Sequence, residues 1–77
     1  MKISVRSPLM NDNIIALLDK QTLDDMSFNF LSKRGIEMFF DVDCGDKSED
    51  EVVALVKKTI KDTNFGKAIV LSVIVCD

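Results

Sequence analysis

Asp41 and Asp43 are spaced as the opening of a calcium loop would require, within Asp41-Val42-Asp43-Cys44-Gly45-Asp46. The rest of the loop is missing. Gly45 comes one place before the sharp-turn position, and Val52 stands where a bidentate Glu would close the site. The stretch reads instead as a solvated strand end leading into a helix cap, with no metal expected. Cys44 and Cys76 lack the C-x-x-C spacing of zinc and redox sites. The chain contains no His, so the commonest general base and the commonest metal ligand are both absent. These absences weigh against catalysis, and no catalytic residue or cofactor is expected.

Two groups of residues remain as candidate sites. Arg6, Ser7, Lys33, Arg34 and Lys67 lie at or near turns that the pattern below brings to one end of the fold. They could hold a small phosphate or carboxylate, helped by free N–H groups at a helix start beside Ser7. Leu31, Phe39, Val70, Ser72 and Ile74 fall on the outer side of their strands. A contiguous apolar patch there would mark an interface.

The elements that position these residues follow from periodicity. Ile3 and Val5 alternate with Lys2, Ser4 and Arg6, which predicts a half-buried strand. Ser7-Pro8 is a helix-start signal, with Asn11 and Asp12 as other possible starts. Met10, Ile14, Leu17, Leu18 and Gln21 then share one helical face. Thr22 to Asp25 reads as a loop. Met26, Phe28 and Phe30 alternate with Ser27, Asn29 and Leu31 as a second strand. Ser32-Lys33-Arg34-Gly35 reads as a tight turn into a third strand, Ile36 to Cys44. Ser48-Glu49-Asp50-Glu51 is a capping box ahead of the stripe Val52, Leu55, Val56, Thr59 and Ile60. Asn64-Phe65-Gly66 reads as a glycine-terminated helix end. Ala68 to Cys76 reads as a last strand, long and apolar on both faces.

The order β-α-β-β-α-β resembles the ferredoxin-like plait across nearly the whole chain. The resemblance implies one α+β domain over residues 1–77, with both helices on one face. The four-stranded antiparallel sheet would have the order 4-1-3-2, counting strands along the chain. It implies little about activity. RNA-recognition domains share the plait, but Lys33-Arg34-Gly35-Ile36-Glu37-Met38-Phe39 matches their third-strand motif only at Arg34-Gly35. Acylphosphatases hold phosphate in a glycine-rich loop after the first strand, whereas Arg6-Ser7-Pro8-Leu9-Met10-Asn11 has no Gly. In the plait, Cys44 and Cys76 would sit two strand spacings apart, about 9.5 Å, beyond the ~7 Å that a disulfide spans.

The plait also separates charge. Arg6, Lys33, Arg34, Lys57, Lys58, Lys61 and Lys67 collect at one end, and most of the carboxylates, Asp77 included, at the other. Helix-dipole preference accounts for much of this.

The net charge of −3 argues against non-specific nucleic-acid binding. No apolar run approaches the ~20 residues of a membrane helix, and MKISVRSP is not a signal peptide. A cytoplasmic location is expected. With 47% apolar residues the chain should fold, yet a chain this short hides a small share of its surface. The expected role is a binding or protein-interaction module, working as a homodimer through the last strand and the open sheet face. The alternative is a small-anion-binding protein or weak enzyme using the basic end. Another protein remains a possible partner of the open face.

Overall fold

A computed structural model describes residues 1–76. The elements in chain order are β1 (Lys2–Arg6), α1 (Asn11–Leu18), β2 (Thr22–Leu23), β3 (Met26–Arg34), β4 (Glu37–Asp43), α2 (Glu49–Lys61), a 3-10 helix (Gly66–Ala68) and β5 (Ser72–Val75). The fold is α+β, with two α-helices and one five-stranded antiparallel sheet.

The strand order is β2-β3-β4-β1-β5. This corrects the expected four-stranded sheet. The segment Thr22 to Asp25, expected as a loop, supplies an added edge strand. Its chain reversal is a two-residue turn in which Asp24 (φ 50°) and Asp25 (φ 63°) both take the left-handed conformation. Paired positive φ values match the twist of a tight hairpin, and Asp tolerates them better than most residues.

The core sits between one sheet face and the helices. Ile3, Val5, Met26, Phe28, Met38, Phe40, Val42 and Val73 are buried from the sheet, and Ile14, Leu18, Val52, Val56 and Ile60 from the helices. Phe30 and Phe40 face each other across the β3–β4 ladder and meet edge-on, ring centroids 5.6 Å apart. On α2 the buried positions recur every four residues, as a core-facing stripe should. Ser48 caps that helix by accepting the Glu51 N–H at 3.2 Å.

Three boundaries differ from the sequence reading. Helix α1 starts at Asn11, because Ser7 is engaged elsewhere. It ends at Leu18, where Asp19 turns to an extended conformation and its carboxylate accepts the Phe30 N–H at 2.9 Å. Met10 and Gln21 therefore lie outside the helix, and Met10 is exposed rather than core. The β3–β4 turn is centred on Gly35-Ile36, not on Lys33-Arg34. Gly35 at φ +59° fits the first central position of a type II′ turn, which favours Gly. The last strand spans only Ser72–Val75, because Gly66–Ala68 coils into a 3-10 helix. It is neither long nor uniformly apolar. Asp77 lies outside the described residues.

A register shift separates Phe30↔Phe40 from Ser32↔Phe39, so Leu31 is the extra residue of a β-bulge. Beyond it the faces of β3 re-phase. Lys33 comes level with the inward Met38, and Arg34 with the outward Glu37.

No described helix is long and apolar enough to cross a membrane.

Candidate functional site: an arginine-lipped cleft and an open sheet face

Arg6 ends β1 on the outer sheet face, level with Glu37 on one side and Ser72 on the other. Arg34 lies on the far side of Glu37. One row across the sheet therefore reads Arg34, Glu37, Arg6, Ser72. Arg6 Nε pairs with Glu37 Oε2 at 3.2 Å, and the Ser4 hydroxyl donates to the same oxygen at 3.0 Å. The hydrogen bonds from Arg6 and then Ser4 hold the Glu37 carboxyl below its ordinary pKa, outweighing the opposing effect of burial, and the charges of Arg6 and Arg34 add smaller contributions in the same direction.

The direction of that shift sets a pH dependence. Glu37 gains a partner for its ionised form on folding. It therefore stabilises the fold above an unfolded pKa of about 4.3. This contribution is lost as pH falls through the lower folded value. Urea unfolding of the wild type and of Glu37→Gln should show the variant less stable near neutrality. The difference should shrink on acidification below about pH 4. A gap that stays constant with pH would show that the pair does not act through ionisation.

An open cleft of about 200 Å³ lies beside this row, lined by Arg6, Pro8, Ile36, Val70, Leu71 and Ser72. Three irregular segments build it. Ser7 extends the ladder by donating its N–H to Ile36 O at 3.0 Å, and Pro8 follows it out of the sheet. Ile36 projects from the type II′ turn. Val70 and Leu71 run between the 3-10 helix and β5, and the Lys61 ammonium holds the preceding carbonyl, Ile69 O, at 2.6 Å. The lining is mainly aliphatic, with one cation at the lip.

The structure redistributes the expected anion ligands. Arg6 borders the cleft, and Arg34 joins it around Glu37. Ser7 is fully buried, with its hydroxyl donating to Leu9 O at 2.7 Å, so it offers nothing to a ligand. Helix α1 begins after a left-handed Met10 and has no side-chain cap. Lys33 is level with the inward residues, while Lys67 belongs to the 3-10 helix and is not among the lining residues. Sequence reasoning missed Pro8, Ile36, Leu71 and Glu37. The signal for Ile36 was Gly35-Ile36 itself, a Gly-X pair at a hairpin reversal.

The interface candidates fall closer together. Phe39 and Ile74 flank Ser4 on the outer face, and Ser4 is completely buried between its neighbours. Leu31 and Val70 lie further out, and Val70 is 82% exposed. Phe39 is half-covered, with the Lys2 ammonium 5.3 Å from its ring centroid in a cation–π contact. Cys44 and Cys76 are free and half-buried. Among the described residues, no three His, Cys, Asp or Glu side chains cluster as metal ligands.

The two edges of the sheet are unlike. Beyond β3 the returning chain pairs with residues 26–30 and becomes a short edge of its own. Lys20 N–H donates to Phe28 O (2.8 Å), Phe28 N–H to Gln21 O (2.9 Å), and the Asp19 carboxylate takes the Phe30 N–H. Thr22 and Leu23 complete the ladder. On the other side β5 is the last strand, paired only with β1. Cys76 N–H donates to Lys2 O at 2.8 Å. By the alternation of an antiparallel ladder, Ser72 and Ile74 also bond inward to β1. Val73 and Val75 then direct their backbone groups away from the sheet.

No protein-family model, curated protein or solved structure matches the chain.

Proposed function

We propose that the chain is a cytoplasmic interaction module of ferredoxin-like plait type that acts as a homodimer, joined through β5 and the adjoining outer face. The observation that carries this reading is the contrast between the edges. One is the two-residue strand β2, and the other, β5, is a four-residue strand whose Val73 and Val75 backbone groups point away from the sheet beside exposed Ile74. Such an edge is a template for pairing with another chain.

A two-fold axis through Ile74 suits the ladder. Val73 of one protomer then pairs with Val75 of its partner, and the reverse, giving four backbone hydrogen bonds by the antiparallel rule. The two Ile74 side chains meet on the outer face, each beside its own Phe39 across the buried Ser4. A strand of four residues makes few hydrogen bonds, so Ile74, Ser72 and the Phe39 row must supply much of the adhesion. Leu31 and Val70 would lie toward the rim. The sheets of the two protomers would join into one.

Light scattering across a concentration series tests the reading. The wild type should have twice the chain mass. Phe39→Lys with Ile74→Lys should have the chain mass, since lysines would meet at the axis in place of isoleucines. A wild type at the chain mass throughout, or a variant that stays dimeric, overturns the interface.

A further inference from the structure

We propose that the cleft beside Arg6 binds a small monocarboxylate with a short unbranched aliphatic tail, its carboxylate on Arg6 and its tail against Pro8, Ile36, Val70 and Leu71. Charge, size and lining converge on that class.

The charge argument begins with the row Arg34, Glu37, Arg6. One carboxylate sits between two guanidinium groups, so the cluster keeps one uncompensated positive charge. Arg6 engages Glu37 through Nε. A guanidinium carries five N–H donors in a fixed fork that matches a carboxylate. The Arg6 guanidinium has terminal N–H donors besides the Nε that faces Glu37. A second carboxylate there balances the cluster without displacing Glu37. A dianionic phosphate would instead bring excess negative charge next to the ionised Glu37.

The size argument follows from the volume. A cavity of about 150 Å³ accommodates benzene, and drug-sized ligands need about 300 Å³ or more. The cleft, at about 200 Å³, lies between these limits and suits roughly eight non-hydrogen atoms. The lining sets the rest. Apart from Arg6 and Ser72 it is Pro8, Ile36, Val70 and Leu71, which offer apolar contact and no side-chain hydrogen bonds. A sugar phosphate or a nucleotide would leave polar groups without partners against these walls. An aliphatic tail would cover Ile36, which is 49% exposed, and Val70.

The cleft shares Val70 and Ser72 with the proposed dimer interface, so each titration is paired with a light-scattering mass that separates ligand binding from a change of assembly. The lining residues come from one protomer, and the inference would survive if the chain proved monomeric.

Hexanoate, 1-hexanol and inorganic phosphate serve as probes, each titrated into the full ¹⁵N-labelled chain and followed by amide chemical shifts. Hexanoate should produce saturable shifts at Arg6, Ile36, Leu71 and Ser72, with half-saturation on the order of 1 mM for so few atoms. Arg6→Gln should weaken this about 10-fold or more, since it removes the charge and the fork. Val70→Asp alters a highly exposed position and leaves Arg6 in place, and it should weaken hexanoate to a similar degree. Three results would overturn the proposal. One is no saturation at these amides by about 20 mM hexanoate. The second is 1-hexanol binding as tightly as hexanoate, or hexanoate binding unchanged in Arg6→Gln, either of which removes the carboxylate from the recognition. The third is phosphate saturating the same amides as tightly as hexanoate, which removes the tail.

Discussion

Gly66→Ala should lower the unfolding free energy by about 3 kcal/mol or more, placing it among the severe single substitutions. The cause is space, not backbone angle. A Cβ on Gly66 would run into the carbonyl carbon and oxygen of Ile60, and would stand 2.7 Å from the Thr63 hydroxyl. That hydroxyl ties the end of α2 together. It donates to Ile60 O at 2.6 Å and accepts the Gly66 N–H at 2.9 Å. The colliding atoms are mostly backbone in the last turn of the helix, so no side-chain rotation relieves the overlap. The turn must open, and Ile60 beneath it is fully buried. With a urea m value of about 1 kcal/mol/M for a small domain, the midpoint should fall by roughly 3 M. Gly35→Ala is the contrasting control. Its Cβ meets nothing within 4 Å, but φ +59° costs an L residue roughly 1–2 kcal/mol. If Gly66→Ala proved no worse than Gly35→Ala, the close approach at Ile60 would not hold in solution.

Phe40→Ala should cost about 3–5 kcal/mol. Phe40 is fully buried in the middle of β4, with Ile3 level on one side and Phe30 on the other. Removing the ring empties the centre of the core and abolishes the edge-on contact with Phe30. A domain of this length has roughly 4–12 kcal/mol of stability in all, so the variant should lose a large share of it and unfold at a much lower urea concentration. Phe40→Leu keeps much of the volume and should cost about 1.5 kcal/mol or less. Circular dichroism and urea titration of both variants check this. Equal losses for Leu and Ala would show that the site needs an aromatic ring rather than volume.

The parts of the fold governed by local rules were legible. Ile3 and Val5, and Met38, Phe40 and Val42, alternate because each strand has one face against the helices. The start of α2 was legible because Ser48 bonds within its own helix. What escaped was decided by segments distant in sequence. Ser7 looks like a helix cap, yet it lies inside the ladder opposite Ile36, and its hydroxyl turns to Leu9. Gly66 looks like a left-handed helix terminator, yet its role is to let two backbone segments touch. Arg6 was identified as a candidate ligand from its charge. Its aliphatic neighbours were not, because Pro8, Ile36, Val70 and Leu71 come together only through turns at three places in the chain.

The bulge at Leu31 has a consequence for chain length. Phe30↔Phe40 and Ser32↔Phe39 are consecutive rungs on the β4 side, with Leu31 between them on β3 alone. A chain shortened by that residue would keep the pairing of every other rung, from Ser27↔Asp43 to Arg34↔Glu37, and would keep the Gly35 turn. A deletion at most other positions of this hairpin would carry inward residues to the outside. Position 31 is thus a site of indel tolerance, where the protein can lose a residue and straighten a strand while Arg34, Glu37 and Arg6 stay in line.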